Sequence, residues 1–269
     1  MNDINRNSDI FFSIVIPNYN NAHFLKKNLI SALEQTYENF EIILVDDVST
    51  DNSVELAKEI FKNYPKRKTK IIEAKNKVWN GGGRNLGVSQ AKGDYIVFID
   101  SDDWFKENNF LEVLNKHIID NNYPDLVRLS FEILTIENTT LDIRLKEKNL
   151  KELVDSCFVA CWTKVIKKDK YQNFPENTLM EDVVQHIKIC DAIETFSCLS
   201  DIQAVVYNRQ NTNSCSTHAE LQNNKWISSL YRYYADLYDL KCSHDYCEDR
   251  RQRRLAEAKH NLETENYIQ

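Results

Sequence analysis

Residues 95–103 read Tyr-Ile-Val-Phe-Ile-Asp-Ser-Asp-Asp, an apolar run that ends in carboxylates. A short apolar run bounded by polar residues is typical of a strand buried on both faces. Asp100 and Asp102 stand two positions apart just beyond that strand. Hard divalent cations prefer oxygen ligands and often bind one or two carboxylates together with substrate phosphates. The stretch therefore predicts a metal site at a strand end, or else a solvated turn in which Asp103 caps the next helix.

Strand and helix patterns alternate through the first 120 residues. The strand patterns lie at 11–16, 42–45, 70–74 and 95–99, and the helix patterns lie at 22–35, 54–61 and 84–92. Such alternation predicts an α/β layer fold with a largely parallel sheet. In such sheets, ligands bind beyond the carboxyl ends of the strands. Polar residues follow three of these ends, at 17–20, 46–47 and 100–103, so we expect one ligand site to use all three.

The second half of the chain is less regular. It predicts a strand at 126–136, helices at 150–160 and 182–193, and helical structure from Trp226 onward. Glu181 and Asp182 stand just before an apolar run. Acidic residues at that place complement the positive end of a helix dipole, whereas in a ligand site one of them can act as a general base. The residues alone leave both interpretations open.

Glycine is confined to one part of the chain. All five glycines lie within 81–93, whereas the average frequency of roughly 7% would give about 19. The triple glycine at 81–83 lacks the spacing of a dinucleotide-binding loop, and Val88 stands where a P-loop needs lysine. We expect instead a mobile glycine segment, with Arg84 pairing either with a nucleotide diphosphate or with a structural carboxylate. Gly93 is expected to cap the C-terminus of the helix at 84–92.

Composition and charge exclude several classes of protein. With 269 residues, a net charge of −7 and 28% charged residues, the chain is expected to fold and to bind no nucleic acid. No apolar stretch approaches the ~20 residues of a membrane-spanning helix, and residues 1–9 lack the features of a signal peptide. Seven cysteines without Cys-x-x-Cys spacing are typical of reduced thiols. We therefore expect a cytoplasmic protein.

Four arginines lie close together near the C-terminus, at 250, 251, 253 and 254. Such a cluster can lie on an anionic membrane, at the inner face of the cytoplasmic membrane in this case. Acidic residues at 245, 248, 249 and 257 are interspersed, which favours a solvated helix or a subunit contact. Peripheral membrane contact and the oligomeric state are left open.

In order and spacing, these stretches resemble the family 2 glycosyltransferases, inverting enzymes with the GT-A fold. The matching stretches are 13–20 (Ser-Ile-Val-Ile-Pro-Asn-Tyr-Asn), 33–41 (Leu-Glu-Gln-Thr-Tyr-Glu-Asn-Phe-Glu), 45–51 (Val-Asp-Asp-Val-Ser-Thr-Asp), 83–87 (Gly-Arg-Asn-Leu-Gly), 91–95 (Ala-Lys-Gly-Asp-Tyr) and 100–104 (Asp-Ser-Asp-Asp-Trp), with 162–164 and 207–216 further on. The resemblance implies a Rossmann-like nucleotide-diphospho-sugar transferase fold, in which helices flank a mostly parallel central sheet and further helices follow at the C-terminus.

The resemblance also implies a division of the chain. A glycosyltransferase domain would span 1–220, with the nucleotide-sugar-binding half at about 10–120 and the acceptor half at 121–220. A C-terminal helical extension would span 221–269.

The resemblance implies a nucleotide-diphosphate sugar donor, usually a UDP-sugar, and Mn²⁺ or Mg²⁺ as cofactor. Tyr19 would lie against the base and Asp47 would hydrogen-bond it. Asp100 matches the ribose and metal position, and Asp102 matches the direct metal ligand. The other matching donor-site residues are Pro17, Arg84 and Ser101, together with Arg209, which would close over the donor phosphates. His218 is a further candidate metal ligand.

By the same resemblance, Asp182 matches the base that deprotonates the acceptor hydroxyl. One direct displacement would then invert the anomeric carbon. The acceptor would be a glycan or a lipid-linked sugar, in the synthesis of a capsule, a lipooligosaccharide or a similar polysaccharide. Val48 stands where the family commonly has glycine, so the sugar preference is not carried over.

Two other functions compete with this one. A sugar-nucleotide nucleotidyltransferase would need a glycine-rich loop after the first strand, where this chain has Pro-Asn-Tyr-Asn at 17–20. A non-catalytic nucleotide-sugar-binding module would not need Asp100, Asp102 and Asp182 together.

Overall fold

Strands and helices alternate along the first part of the chain, as the sequence predicts. The computed structural model describes residues 9–176, 178, 180–211 and 224–265. The first elements are β1 (Phe12–Asn18), α1 (Ala22–Leu33), β2 (Phe40–Asp46), α2 (Ser53–Lys62), β3 (Lys68–Glu73), α3 (Trp79–Gln90), β4 (Tyr95–Phe98), β5 (Trp104–Phe105) and α4 (Phe110–Asp120). The later elements are β6 (Leu126–Leu129), β7 (Phe131–Leu134), β8 (Thr140–Ile143), α5 (Leu150–Asp155), β9 (Lys164–Lys167), α6 (Glu181–Ala192), β10 (Phe196–Leu199), β11 (Val205–Asn208), α7 (Asn224–Asp239) and α8 (Asp245–Glu265).

The main sheet has the strand order β10-β6-β9-β4-β1-β2-β3 within the described residues. The neighbours from β4 to β3 pair in parallel, and β9 is antiparallel to both β4 and β6. All seven residues of β1 are buried, since strand β1 lies between β2 and β4 with helices on the sheet faces. The predicted α/β fold with a mostly parallel sheet is confirmed.

A second sheet has the order β5-β11-β7-β8 in the described part of the chain. The predicted single strand at 126–136 is wrong, because the chain leaves the main sheet after β6 and enters the second sheet at β7. Ser130 makes the transition. Its N–H donates to Leu199 O (3.3 Å) and its own carbonyl accepts from Ala204 N (2.8 Å). Apolar residues recur on both sides of Ser130 throughout 126–136, so the sequence pattern contains no sign of the break.

The glycines at 81–83 lie inside α3, so the prediction of a mobile glycine segment is wrong. Glycine costs about 1 kcal/mol in a helix interior relative to alanine, and close packing explains its presence here. A Cβ on Gly81 would stand 2.6 Å from Pro175 O. Gly93 does not cap the helix, because α3 ends at Gln90 with Ala91 as its C-cap. A Cβ on Gly93 would stand 2.5 Å from Ser13 N, so this glycine allows two main chains to approach.

The C-terminal helices pack against the second half of the chain. Helix α8 contacts α5 and α6, and α7 contacts α6 and α8. Their buried side chains include Tyr233, Leu237, Cys247 and Ala258. Among the residues described, no helix has the length and apolarity needed to cross a membrane.

Candidate active site

The carboxyl ends of β1, β2 and β4 meet at one edge of the main sheet. Asn18 pairs in register with Asp46, and its amide donates to the Asp46 carboxylate at 2.9 Å. The turn after β4 is held by Asn28 of α1. The Asn28 amide donates to the main-chain oxygens of Asp100 (2.9 Å) and Asp103 (2.8 Å). The three polar strand ends therefore form a single site, as the sequence predicts.

Tyr19 and Asp47 lie at the β1 and β2 side of this site. Tyr19 is 47% exposed, and the Lys77 ammonium lies 2.8 Å from the centroid of its ring. Asp47 is buried and accepts the N–H groups of Val78 (2.7 Å) and Trp79 (2.9 Å). Asp47 also pairs with Lys77 at 3.0 Å. Asp47 thus fixes the start of α3, and its predicted bond to a nucleobase stays a prediction.

Pro17 and Val48 complete this side of the site. Pro17 lies beside Gly83 of α3. A Cβ on Gly83 would stand 3.7 Å from the Pro17 side chain, which is an ordinary contact distance. Val48 has a φ of 61°, in the left-handed region that suits glycine better than a β-branched residue.

The turn Asp100–Asp103 presents its side chains to different partners. Ser101 accepts from the Asn21 amide (2.9 Å), and Asp102 accepts from the Asn211 amide (2.8 Å). Burial, and then the charge of Asp100, raises the pKa of Asp102 to about 6. The two carboxylates of the Asp-x-Asp motif therefore lie close enough to repel each other.

Asp103 does not cap a helix, and that prediction is wrong. Its side chain is 1% exposed and accepts the N–H of Asn208 at 2.8 Å. Helix α4 begins only at Phe110, after Asn109. Burial raises the pKa of Asp103 well above its usual range. Asp103 thus ties β11 of the second sheet to the turn that carries the motif.

Arg84 joins the turn after β4 to the start of α6. The guanidinium is 1% exposed and donates to Asp100 (2.8 Å) and to Glu181 (2.9 Å). Its Nη1 lies 3.9 Å from Asp182 Oδ1. The sequence left a nucleotide diphosphate and a structural carboxylate open as partners of Arg84, and in the structure Arg84 pairs with carboxylates. The Asp-x-Asp motif and the Glu181–Asp182 pair are therefore parts of one cluster.

Asp182 is the predicted base, and its environment differs from that of Glu181. The Asp182 Oδ1 atom is buried and accepts no hydrogen bond from the described residues. Burial raises the pKa of Asp182, while the charges of Arg84 and Lys164 work to lower it. Burial and the Asp182 charge raise the pKa of Glu181 to about 7. Glu181 is bound to Arg84, so Asp182 is the carboxylate with an acceptor oxygen available.

The carboxylates fit a hard divalent cation whose remaining ligands come from substrate. Among the described residues, no group of three or more His, Cys, Asp or Glu side chains could hold a metal without such help. Asp102 is a half-buried carboxylate that accepts a hydrogen bond from the neutral Asn211 amide, and a cation would compensate its charge. Asp100 and Asp102 would therefore hold Mn²⁺ or Mg²⁺ together with phosphate oxygens. His218 lies outside the described residues.

Arg209 follows the last residue of β11, and its side chain is exposed. Its N–H donates to Leu134 O at 3.0 Å, which fixes the main chain at this point. The predicted approach of its guanidinium to donor phosphates stays a prediction. The stretch 212–216, which also resembles the family, lies outside the described residues.

Sequence reasoning missed Asn28 and Asn211 as site residues, and it assigned Glu181 no role of its own. Asn28 is a buried amide between Leu25 and Leu29 on the apolar face of α1, and a polar residue in that position was a usable signal. Glu181 is adjacent to Asp182, so the acidic pair indicated it. Asn211 lies in the stretch 207–216 that resembles the family, but only the fold shows that it contacts Asp102.

Comparison with known proteins gives a family-model match and many curated relatives, including the two that follow. The family model described as Glycosyl transferase family 2 matches residues 13–178. The glycosyltransferase GlyG of Streptococcus pneumoniae serotype 4 is 42% identical over 106 residues, which are 39% of this chain and 34% of GlyG. The minor teichoic acid biosynthesis protein GgaB of Bacillus subtilis is 30% identical over 260 residues, 91% of this chain and 28% of GgaB. The chain thus spans about a third of the length of these relatives.

Many solved structures share the fold, including the two that follow. Staphylococcus aureus TarS 1–349, in complex with UDP-GlcNAc, superimposes with a TM-score of 0.69 at 19% identity, over 93% of this chain and 71% of that chain. The mannosyltransferase PcManGT of Pyrobaculum calidifontis, in complex with GDP-Man and Mn²⁺, gives a TM-score of 0.64 at 16% identity, over 96% and 71%. The predicted GT-A type of fold is confirmed.

Proposed function

Because the chain belongs to glycosyl transferase family 2, we propose that it is a metal-dependent inverting glycosyltransferase. In this proposal a nucleotide-diphosphate sugar, a UDP-sugar, is the donor, and a hydroxyl of a glycan or lipid-linked sugar is the acceptor. One observation carries the proposal. Arg84 binds Asp100 and Glu181 and lies 3.9 Å from Asp182, so the metal-side carboxylates and the candidate base share one site.

The relatives support the class of donor and of process. TarS was crystallised with UDP-GlcNAc, and PcManGT with GDP-Man and Mn²⁺. GgaB is a teichoic acid biosynthesis protein, which favours a cell-surface polymer as the product. We extend the proposal to that process, and to a division into a transferase domain at 1–220 and a helical extension at 221–269.

The donor would lie across the edge formed by β1, β2 and β4. Tyr19 offers an exposed ring for the base, next to the buried carboxylate of Asp47. Pro17, Ser101 and Arg209 would complete the donor site. Held by Asp100 and Asp102, the divalent cation would neutralise charge on the leaving nucleoside diphosphate.

Asp182 would act on the acceptor. Its carboxylate takes the proton of the acceptor hydroxyl while that oxygen attacks the anomeric carbon. The bond from the anomeric carbon to the diphosphate oxygen breaks in the same step, and the nucleoside diphosphate leaves with the bond electrons. Attack from the opposite face inverts the anomeric carbon, so an α-linked donor gives a β-glycoside. The unbonded Oδ1 of Asp182 suits this role, because a base needs a free lone pair.

The test is a panel of nucleotide sugars, each with and without Mn²⁺. We expect wild type to transfer or slowly hydrolyse one donor only with the metal present. Asp102→Ala should lose metal dependence and activity together, and Asp182→Asn should lose roughly 100-fold or more in transfer, the typical contribution of a positioned base. Asp120→Asn is the control, because Asp120 is an exposed carboxylate on α4 that pairs with Lys116.

Three outcomes would contradict the proposal. Full transfer by Asp182→Asn with its identified acceptor would remove the base assignment. Donor binding without any turnover would favour a nucleotide-sugar-binding module. Release of pyrophosphate from a nucleoside triphosphate and a sugar phosphate would favour a nucleotidyltransferase.

A further inference from the structure

The loop over 156–163 connects α5 to β9, and a buried cation holds both of its ends. Arg128 of β6 is 0% exposed and donates to Ser156 Oγ (3.2 Å) and to Phe158 O (2.9 Å). At the other end, Arg128 donates to the main-chain and side-chain oxygens of Thr163, at 3.3 Å and 2.6 Å. One guanidinium therefore anchors the loop at both of its ends.

The C-terminal helix α8 holds the same loop from the outside. Arg250 is 8% exposed, and its Nη2 donates to the main-chain oxygen of Ser156 at 3.2 Å. One turn further along, Arg253 pairs with Asp155, the residue before the loop. Arg250 forms no ion pair with any described residue, although burial of an unpaired cation is costly. An apolar side chain would avoid that cost, but it could not donate to the loop.

The loop in turn touches the candidate active site at two places. The main chain of Cys161 lies close enough to the Asp182 carboxylate to lower its pKa. The neighbouring Trp162 stacks on Tyr207 of β11, with ring centroids 5.2 Å apart. The next residue, Asn208, donates its N–H to Asp103 at 2.8 Å. A displacement of the loop would therefore reach both the candidate base and the turn that carries the Asp-x-Asp motif.

We propose that α8 is a working part of the active site, and that Arg250 is a positioning residue. Together with Arg128, Arg250 fixes the 156–163 loop and thereby sets the place of the Asp182 carboxylate. This inference rests on the proposed function, since it assigns Asp182 the role of base. It gives the C-terminal helix a role in turnover rather than in donor binding, because the loop lies on the α6 side of the cluster and Tyr19 and Asp47 lie on the β1 and β2 side.

The experiment compares Arg250→Met with Arg254→Met. Arg254 lies one turn further along the same helix and pairs with Glu257 of α8 itself, so its loss leaves the loop contacts in place. Hydrogen exchange of the amides at 157–163 is measured in the free protein, and kcat and KM for the donor are measured separately. For Arg250→Met we expect exchange in the loop about tenfold faster and kcat about tenfold lower, with the donor KM unchanged within twofold. Arg254→Met should change neither quantity more than twofold.

Arg250→Lys is the rescue variant, because a lysine ammonium can still donate to the Ser156 carbonyl. It should restore loop exchange and kcat to within about threefold of wild type. If Arg250→Met does not fold, loop exchange and kcat of Arg250→Lys are the test of the inference. Unchanged exchange at 157–163 in a folded Arg250→Met protein would overturn the inference, and so would faster exchange with an unchanged kcat. If the proposed function is wrong, wild type itself transfers no sugar. The hydrogen-exchange measurement needs no substrate, so it still tests whether Arg250 holds the loop.

Discussion

At the scale of single residues, the buried charges of the second half determine the environment of the site. Lys164 and His186 are fully or almost fully buried, beside Arg128. Burial lowers the pKa of Lys164 to about 8. Burial also lowers the pKa of His186 well below its usual range, and the charges of Lys164 and Arg128 act in the same direction. The imidazole is therefore neutral in the folded protein, with Nε2 hydrogen-bonded to Leu153 O at 2.9 Å.

This neutral histidine predicts a loss of stability in mild acid. The unfolded chain binds a proton at His186 near pH 6.5, whereas the folded chain does not, so the free energy of unfolding falls as the pH drops below about 6.5. The contribution of one such group approaches about 1.4 kcal/mol per pH unit. Urea unfolding between pH 7 and 5 checks this, by the difference between wild type and His186→Gln. Equal pH dependence in both proteins would show that His186 becomes protonated in the folded state.

At the scale of elements, α3 combines poor helix propensity with close packing. Its glycines at 81–83 are all buried, and their surroundings differ. A Cβ on Gly81 would stand 2.6 Å from Pro175 O, a main-chain atom that cannot turn aside. A Cβ on Gly83 would find its nearest neighbour at 3.7 Å, on Pro17, which is an ordinary contact. Within one helix, then, one glycine is required by space and another is not.

The two glycines predict opposite effects of the same substitution. Gly83→Ala should raise the free energy of unfolding by up to about 1 kcal/mol, because alanine favours the helix and reduces the entropy of the unfolded chain. Gly81→Ala should lower it by about 1–3 kcal/mol, because the added methyl group forces the backbone apart. Denaturant unfolding of both variants is the measurement, and each serves as the control for the other. Equal effects would mean that the helix does not pack against the 174–175 connection as described.

At the scale of the whole molecule, the C-terminal helices use their charges within the chain. Arg251 pairs with Glu248, Arg253 with Asp155 and Arg254 with Glu257. Arg250 is buried against the loop before β9. The four arginines therefore do not present an unpaired basic face, which favours internal packing over the membrane contact that the sequence left open.

From this arrangement we expect no attraction to an anionic membrane. Co-sedimentation with vesicles that contain phosphatidylserine, at about 0.1 M salt, should retain no more protein than neutral phosphatidylcholine vesicles do. Clear binding to the anionic vesicles would contradict this expectation. In that case Arg253→Gln, which removes an exposed arginine, would show whether α8 carries the contact.

The sequence by itself determined the order of elements from β1 to β4, the α/β fold and the residues of the Asp-x-Asp motif and of the Glu181–Asp182 pair. These features depend on hydrophobic periodicity and on short motifs, which are contained in windows of a few residues. For example, the nine consecutive residues 95–103 were enough to predict the strand from Tyr95 to Phe98 and the carboxylates after it.

The tertiary structure alone decided which of these residues act together. Arg84 meets Glu181 across 97 positions of sequence, and Asn211 meets Asp102 across 109. The sequence likewise did not predict the break at Ser130, the glycines inside a helix, or the contact of Arg250 with the loop at 156–163. The physical reason is common to all of them: each depends on two distant backbones approaching within hydrogen-bond or van der Waals distance, and local sequence patterns do not specify that approach.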